Sequence, residues 1–222
     1  MASESCNGEI SSGSAALWLI APLAGSIRVN STVAPPSDTQ VQRPVSTTLP
    51  RTMLIILSGL PGTGKTTIAR ELARQLGAVH VRIDSIEQAV RESGVVVVSL
   101  DDAGYRVAYA VAWDNLRVGH TVIADSVNSL WLTRNAWVDV ATRAGVDFVE
   151  IEMTCSDLQE HRRRVETRMT DIPGLTLPTW SQVVERDYEP WNRERIVIDT
   201  ARATPEQCVE ALRAAIDAGN CK

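Results

Sequence analysis

Short apolar runs alternate with longer amphipathic stretches along the chain from residue 53 onward. Residues 53–58 form an apolar run that ends at Gly59, a pattern typical of a strand buried on both faces. The same pattern predicts four more strands, at 79–84, 121–125, 148–154 and 196–199. Because strands that alternate with helices form parallel sheets, the sequence predicts an α/β fold with a five-stranded parallel sheet covered on both faces.

Glycines and capping motifs mark the ends of the predicted helices. Gly77, Gly119 and Gly145 are expected to end helices, because glycine readily adopts the left-handed backbone that follows a last turn. Helix starts are predicted from capping boxes at Ser85, Ser156 and Thr179, and from proline in the first turn at Thr204. These signals predict helices at 66–76, from 85, at 102–118, at 130–144, at 156–168, from 179 and from 204. Residues 95–98 fit either a strand or a buried helix, and this alternative stays open.

The first 52 residues differ in composition from the rest of the chain. They are rich in Ser, Thr and Pro, and their three arginines balance three acidic residues. Such a segment buries too little apolar surface to offset its ordering entropy, so we expect a disordered extension at 1–52 and one domain at 53–222. The apolar stretch 15–25 is too short to span a bilayer and has no basic residue before it, which argues against a membrane anchor or a secretory signal. An organelle transit peptide and a translation start at Met53 are the alternatives for this segment.

The charge balance and the cysteines narrow the class of protein. A net charge of −5 provides no overall basic field for nucleic acid, although a local basic patch is compatible with it. None of the four cysteines has the spacing of a zinc site or a disulfide framework, and the three histidines form no recognisable constellation. Reduced thiols are typical of the cytoplasm, and we therefore expect a cytoplasmic protein.

One segment carries a specific phosphate-binding motif. Residues 59–66 (Gly-Leu-Pro-Gly-Thr-Gly-Lys-Thr) fit G-x-x-x-x-G-K-[ST] between a predicted strand and a predicted helix. The glycines let successive N–H groups turn towards one anion, and the following helix adds the positive end of its dipole. Lys65 would place its charge on the β- and γ-phosphates, and the Thr66 hydroxyl would ligate Mg²⁺. The residues expected to bind a nucleoside triphosphate are Gly59, Pro61, Gly62, Thr63, Gly64, Lys65, Thr66 and Thr67.

Two acidic residues end predicted strands. Asp84 ends the second strand and Asp125 ends the third. Ligands of a parallel sheet bind beyond the carboxyl ends of its strands, so both carboxylates are expected to face the phosphates. Asp125 is expected to orient Mg²⁺ or its water shell, which leaves Asp84 to accept the proton of an acceptor hydroxyl. The alternative for either residue is a structural cap on the helix or turn that follows it.

The densest basic stretch of the chain is residues 160–168. Arg164 and Arg168 are four residues apart and are expected to share one helix face. Together with the loop 170–178, this helix is expected to form a lid whose arginines close over the phosphates and stabilise the transferring charge. The alternatives are a solvated face on which Glu160 pairs with Arg164, and a weak RNA-binding patch.

The order of these motifs resembles that of the small P-loop kinases, which include chloramphenicol phosphotransferase, gluconate kinase, adenylylsulfate kinase, zeta toxin and the phage polynucleotide kinase domain. The stretches that carry the resemblance are 59–67, 82–85, 122–128 and the pair Arg164 and Arg168. The resemblance covers about residues 53–218 and implies a three-layer P-loop NTPase fold with a helical lid. It also implies ATP and Mg²⁺ as cofactors and transfer of the γ-phosphoryl group to a hydroxyl.

The resemblance assigns some roles and leaves the acceptor open. The stretch 83–85 is similar to the one that carries the proton-accepting Asp in chloramphenicol phosphotransferase, and 125–128 is similar to a D-x-x-N element of polynucleotide kinases. Arg164 and Arg168 are similar in placement to the lid arginines of the family. The chain has no gluconate- or adenylylsulfate-specific element, and residues 171–174 depart from the glycine-aspartate lid common among these kinases.

The sequence therefore favours an ATP-dependent kinase that phosphorylates a hydroxyl of a small molecule. Its catalytic residues would be Lys65, Asp84, Arg164 and Arg168, with Mg²⁺ on Thr66 and Asp125. One alternative is a polynucleotide 5′-hydroxyl kinase, which the net charge disfavours and the element at 125–128 supports. A second alternative is an ATP-binding regulatory module without transferase activity. No membrane partner is expected.

Overall fold

The computed structural model of the protein describes residues 52–94 and 102–218. Its strands are β1 (Met53–Ser58), β2 (Val79–Arg82), β3 (Val122–Asp125), β4 (Asp147–Thr154) and β5 (Ile196–Asp199). Its helices are α1 (Lys65–Leu76), α2 (Ile83–Glu92), α3 (Ala103–Arg117), α4 (Trp131–Ala144), α5 (Leu158–Thr167), α6 (Trp180–Val184) and α7 (Pro205–Asp217). The segment 95–98, whose prediction was open, and the extension predicted before residue 53, except Thr52, lie outside the described residues.

The strands form one parallel sheet in the order β2-β3-β1-β4-β5. Strand β1 is central and buried along its whole length, and Ile55 pairs with Ile123 of β3 and with Val149 of β4. This arrangement explains the uninterrupted apolar run, because both faces of a central parallel strand are covered by helices. The predicted α/β fold with a five-stranded parallel sheet is confirmed.

Two hydrophobic clusters lie on opposite faces of the sheet. One joins Ile55 and Leu57 of β1 to α1 and α7, and the other joins Leu54 and Ile56 to α3 and α4. Alternate residues of one strand therefore enter different clusters, as the two-residue period of a strand requires. The result is a helix–sheet–helix sandwich, which is the predicted three-layer arrangement.

The structure corrects the predicted start of α2. Strand β2 ends at Arg82, so the prediction that Asp84 ends a strand is wrong, and Asp84 lies in the first turn of α2. The capping box predicted from Ser85 is also wrong, since α2 begins at Ile83 and its N-cap residue Arg82 makes no side-chain cap. Ile83 is buried against the sheet within the α3–α4 cluster, so the helix starts early enough to place this side chain in the core.

The start of α5 also differs from the prediction by one residue. The N-cap is Asp157 rather than Ser156, and its carboxylate accepts hydrogen bonds from the N–H groups of Gln159 and Glu160 at 3.0 and 3.1 Å. Ser156 contacts Asp199 at the end of β5 instead, through both its hydroxyl and its N–H. The capping box predicted at Thr179 is confirmed, and so is the helix start predicted at Thr204, where the structure adds a capping box with Gln207.

No helix among residues 52–94 and 102–218 is long and apolar enough to cross a membrane.

Candidate active site

The phosphate-binding loop (P-loop, residues 59–66) connects β1 to α1. Gly59 and Gly62 have φ angles of +134° and +88°, in the region that side chains disfavour. A Cβ atom would lie 2.2 Å from the Met153 carbonyl oxygen at Gly59 and 2.6 Å from Val165 Cγ2 at Gly62. Both glycines are therefore required by backbone conformation and by close approach, to β4 in one case and to α5 in the other.

Lys65 begins α1 and is buried, with 7% of its surface exposed. Its Nζ donates a hydrogen bond to the Leu60 carbonyl oxygen at 2.8 Å, within the P-loop itself. Burial lowers the pKa of the Lys65 ammonium to about 8, although the carboxylates of Asp125 and Asp84 oppose this shift. Because burial makes the Lys65 ammonium lose its proton more readily, a phosphate bound beside it would stabilise the charged form.

Asp125 ends β3 as predicted and is almost fully buried, with 3% of its surface exposed. Burial alone would raise the pKa of its carboxyl, but the hydrogen bond with His80, the charge of Lys65 and the Thr66 hydroxyl hold that pKa below its ordinary value. The His80 Nε2 atom lies 3.1 Å from Asp125 Oδ2. The carboxylate is therefore ionised and adjacent to the hydroxyl with which it was predicted to share Mg²⁺.

Asp84 lines the same cavity from the first turn of α2, with 51% of its side chain exposed. Arg82 Nη2 lies 3.7 Å from Asp84 Oδ2. The Asp84 charge also raises the pKa of Lys65 and of Arg168, so the three groups are electrostatically coupled. Asp84 is thus a hydrated carboxylate near the P-loop lysine and an arginine, although the helix rather than the strand positions it.

A cavity of about 1070 Å³ collects most of the predicted site residues. The predicted residues that line it are Pro61, Gly62, Gly64, Lys65, Thr66, Thr67, Asp84, Asp125, Arg164 and Arg168. Two predicted residues lie outside its lining: Gly59, which packs on β4, and Thr63, whose hydroxyl donates to the Leu60 carbonyl oxygen at 2.9 Å. Gly59 and Thr63 therefore support the conformation of the P-loop through contacts outside the cavity.

All three nitrogen atoms of the Arg164 guanidinium donate hydrogen bonds within the protein. Its Nε donates to Glu160 at 2.7 Å, and its two Nη atoms donate to the hydroxyl and the carbonyl oxygen of Thr200, each at 2.9 Å. The Thr200 hydroxyl lies 3.0 Å from the Thr63 carbonyl oxygen, so this network connects α5 to the P-loop. Hydrogen bonds from Arg163 and Arg164 lower the pKa of Glu160 to about 2. Glu160 therefore pairs with Arg164, as the alternative of a solvated helix face proposed, and the same arginine also lies beside the P-loop.

Arg168 follows α5 and has an extended backbone, with φ −66° and ψ +143°. Its N–H still donates to the Arg164 carbonyl oxygen at 3.0 Å, so Arg168 lies one helical turn after Arg164, and both residues line the cavity. Arg168 Nε is buried and has no hydrogen-bond partner within the described part of the chain. Burial lowers the pKa of the Arg168 guanidinium, and Asp84 opposes the shift. A buried donor without a partner is costly, and a ligand phosphate would satisfy it.

The loop 170–178, called the lid loop below, contributes residues to the lining of the cavity. Its residue Asp171 forms ion pairs with Arg70 of α1 and with Arg82, whose Nη1 donates to Asp171 Oδ1 at 2.9 Å. The hydrogen bonds from Arg82 and Arg70 lower the pKa of Asp171 to about 2. Gly174 packs so closely on α2 that a Cβ atom would lie 2.8 Å from Gln88 Nε2. The lid loop is thus attached to α1, to the end of β2 and to α2.

Several residues of the site carry no motif in the sequence. His80 contacts Asp125, and the buried His161 places Nε2 2.8 Å from the Pro61 carbonyl oxygen, so two histidines that form no pattern in sequence both support the site. Glu87 and Arg186 also line the cavity. The adjacency of β2 and β3 brings His80 to Asp125, and the packing of α5 on the P-loop brings His161 to Pro61, but the apolar pattern of the sequence specifies neither contact.

The pKa of Lys65 predicts a pH dependence of nucleotide binding. Phosphate binds the ammonium form, and without ligand this form is lost as pH rises through about 8. We therefore expect the Kd for Mg²⁺-free ADP to rise with pH above 8, by at most about tenfold per pH unit. Calorimetry between about pH 7.5 and 9.5 would measure this slope, and Lys65→Met should remove it. A constant Kd for the wild-type protein over this range would contradict the expected protonation.

The chain belongs to the family described as AAA domain (AAA_33), whose model matches residues 54–186. A probable adenylyl-sulfate kinase of Aeropyrum pernix is 27% identical over 184 aligned residues, and the match covers 75% of this chain and 93% of that protein. A shikimate kinase of Corynebacterium efficiens is 33% identical over 132 aligned residues, and the match covers 52% of this chain and 78% of that protein. The APS kinase of Mycobacterium tuberculosis, solved in complex with AMPPNP and APS, superposes with a TM-score of 0.57 at 22% identity, over 74% of this chain and 97% of that one.

These matches confirm the resemblance to small P-loop kinases and the fold expected from it. The two relatives found by sequence are kinases of small molecules, which supports a phosphotransferase and a nucleotide-binding P-loop in this chain. They carry different acceptor names, so the acceptor of this protein is a separate question.

Proposed function

We propose that the protein is an ATP-dependent kinase that transfers the γ-phosphoryl group to a hydroxyl of a small molecule. The observation that carries this proposal is the single cavity shared by Lys65, Asp125, Asp84 and Arg168. A P-loop cation, a carboxylate suited to Mg²⁺, a second carboxylate and an unsatisfied arginine are the groups that phosphoryl transfer requires.

Phosphate binding falls to the P-loop and its neighbours. The N–H groups of the loop and the start of α1 bind the phosphate oxygens, and Lys65 contributes a charge that burial has already freed of water. Arg168 would donate its buried Nε to the transferring phosphoryl group. Arg164 would contribute its positive charge near the phosphates without donating to them directly, since its guanidinium is bound to Glu160 and Thr200.

Thr66 and Asp125 would hold Mg²⁺. Their side chains are adjacent and offer hard oxygen ligands, which suit this ion. Within residues 52–94 and 102–218, no group of three His, Cys, Asp or Glu side chains could hold a metal on its own. This partial ligand set fits an ion that is completed by substrate phosphates, as is usual for Mg²⁺ in kinases. When bound, the ion would neutralise charge on the phosphates.

Asp84 would act as the general base. Its carboxylate is half-exposed, lines the same cavity as Lys65 and Arg168, and would be positioned to accept the proton of a hydroxyl that approaches the γ-phosphate. Arg82, which lies between Asp84 and Asp171, would keep this carboxylate oriented.

The nucleoside would bind in a second cavity of about 330 Å³. This cavity shares Gly64, Thr67 and Arg164 with the larger one, so a triphosphate in the P-loop would lead into it. Its remaining walls include the small or apolar residues Ala203, Pro205 and Cys208, which suit a planar base.

The acceptor would bind between α2 and the lid loop. Residues at successive turns of α2 line that part of the cavity, and Glu87 and Arg91 form an ion pair there at 3.2 Å. Burial raises the pKa of Glu87, in opposition to Arg91. Met169 and Leu175 add apolar surface. A wall with these groups favours a small acceptor that carries several polar groups.

The exposed arginines of α5 argue against a nucleic-acid acceptor. Arg162 pairs with Glu166 at 2.8 Å, and Arg163 pairs with Glu160 at 2.7 Å. Within residues 160–168 these two carboxylates offset two of the four arginine charges, which weakens the basic field of the alternative RNA-binding patch. The described part of the chain thus favours a small-molecule acceptor over an oligonucleotide.

A cytoplasmic location is part of this proposal. Cys155 and Cys208 are buried free thiols, as expected in a reducing compartment. Localisation of the tagged full chain by fractionation would test it.

The proposed activity is tested by incubating the full chain with Mg²⁺ and γ-labelled ATP against pools of sugars, nucleosides, aminoglycosides and phenicols. Label on one acceptor pool supports the proposal. Label only on 5′-hydroxyl oligonucleotides, weakened by salt, would identify a polynucleotide kinase instead. A rise in melting temperature with ATP but no transfer to any pool would favour a regulatory nucleotide-binding module.

A further inference from the structure

The His80 imidazole is placed against Asp125 by the register of the sheet. β2 and β3 are neighbouring parallel strands, and His80 is paired with Ile123, two residues before Asp125. Because side chains alternate along a strand, these three residues project from the same face, where Ile123 packs with residues of α1. The 3.1 Å contact between Nε2 and Oδ2 is therefore built into the sheet rather than formed by a flexible surface chain.

The Asp125 carboxylate needs a partner that does not leave when ligands bind. A buried carboxylate is costly unless it is paired or hydrogen-bonded. Lys65 and Thr66 also favour its ionised form, but both belong to the P-loop and are the groups that phosphate and Mg²⁺ would engage. His80 comes from the sheet, and it is not among the residues that line the cavity.

We propose that His80 is a positioning residue for the magnesium site. Its Nε2–H donates to Oδ2 of Asp125 and fixes the carboxylate, which leaves Oδ1 for Mg²⁺ or its waters. This inference rests on the proposed function, because it assumes that the P-loop binds a nucleotide with Mg²⁺. Groups that orient a metal ligand typically change metal affinity by about 10–100-fold when they are removed.

The test is calorimetry of ADP binding by the full chain over a range of Mg²⁺ concentrations. For His80→Leu we expect the half-saturating Mg²⁺ concentration to rise by about tenfold. ADP binding in EDTA should stay close to that of the wild type, because His80 is not among the residues that line the cavity. His120→Leu is the matched control, since His120 is exposed next to the start of β3, and it should keep the wild-type Mg²⁺ dependence.

Further variants separate orientation from packing. His80→Gln retains an N–H donor and should move the Mg²⁺ dependence back towards the wild type, whereas a glutamine variant as weak as the leucine variant counts against the proposal. If His80→Leu does not fold, His80→Ala provides the same comparison. A folded variant with wild-type Mg²⁺ dependence, or one that loses ADP binding equally in EDTA, overturns the proposal. A wild-type protein that does not bind ADP with Mg²⁺ would contradict the proposed function instead.

Discussion

Replacing Lys65 by alanine is expected to lower phosphoryl transfer by about 10³-fold or more. The lysine is buried at the start of α1, and burial lowers the pKa of its ammonium to about 8, so the protein holds this charge at a cost that a bound phosphate offsets. Without it, charge on the β- and γ-phosphates loses its compensation in a site with little water. The measurement is kcat for the full chain with γ-labelled ATP and the acceptor found by the pooled assay.

Arg74→Ala is the control for this variant. Arg74 lies on the same helix, but 74% of its side chain is exposed, and its ion pair with Glu71 lies within α1. Its removal should leave kcat unchanged. Wild-type turnover in a folded Lys65→Ala protein would contradict the assignment of the P-loop as the site of transfer.

Replacing Asp84 by asparagine is expected to lower kcat by about 10²–10⁴-fold, the range for loss of a general base. The substitution is nearly isosteric and should preserve the first turn of α2. Asp84 lies on α2 and outside the P-loop, so the affinity for ADP with Mg²⁺ should stay close to that of the wild type. Transfer kinetics and calorimetry on the same preparation would measure both quantities.

The ratio of these two effects decides the role of Asp84. An equal loss of transfer and of Mg²⁺-dependent nucleotide binding would assign it to the metal rather than to the proton. Asp114→Asn, an exposed substitution on α3, is the matched control and should change neither quantity.

Much of the fold could be predicted because its signals are local. The apolar run before Gly59 specifies a central strand, and the glycines of the P-loop are required by positive φ angles and by close contacts with Met153 and Val165. The capping box at Thr179 and the proline after Thr204 act within three residues of the helix start, so the short-range pattern was sufficient.

The predictions that were wrong concern competition between a local signal and a tertiary contact. Ser85 has the sequence of a helix start, but burial of Ile83 moves the start two residues earlier and carries Asp84 from a strand end into a helix. Ser156 could have capped α5, but it binds Asp199 on β5, and Asp157 takes its place. Neither contact is visible in a pattern of apolar and polar residues.

The supporting residues of the candidate site could not be predicted for a different reason. His80 and Asp125 are 45 residues apart, and His161 and Pro61 are 100 residues apart. Only the strand order β2-β3-β1-β4-β5 and the packing of α5 on the P-loop bring these pairs together. The sequence identifies the candidate ligand-binding groups, whereas the structure identifies the residues that hold them in place.

The most direct test of the central claim is the fate of the γ-phosphoryl group of ATP in the presence of the full chain, Mg²⁺ and the pooled acceptors. The account predicts that the label appears as a phosphate ester on an acceptor hydroxyl, in equal amount with ADP, and is lost in Lys65→Ala. Release of the label only as inorganic phosphate, or nucleotide binding with no turnover on any acceptor, would contradict it.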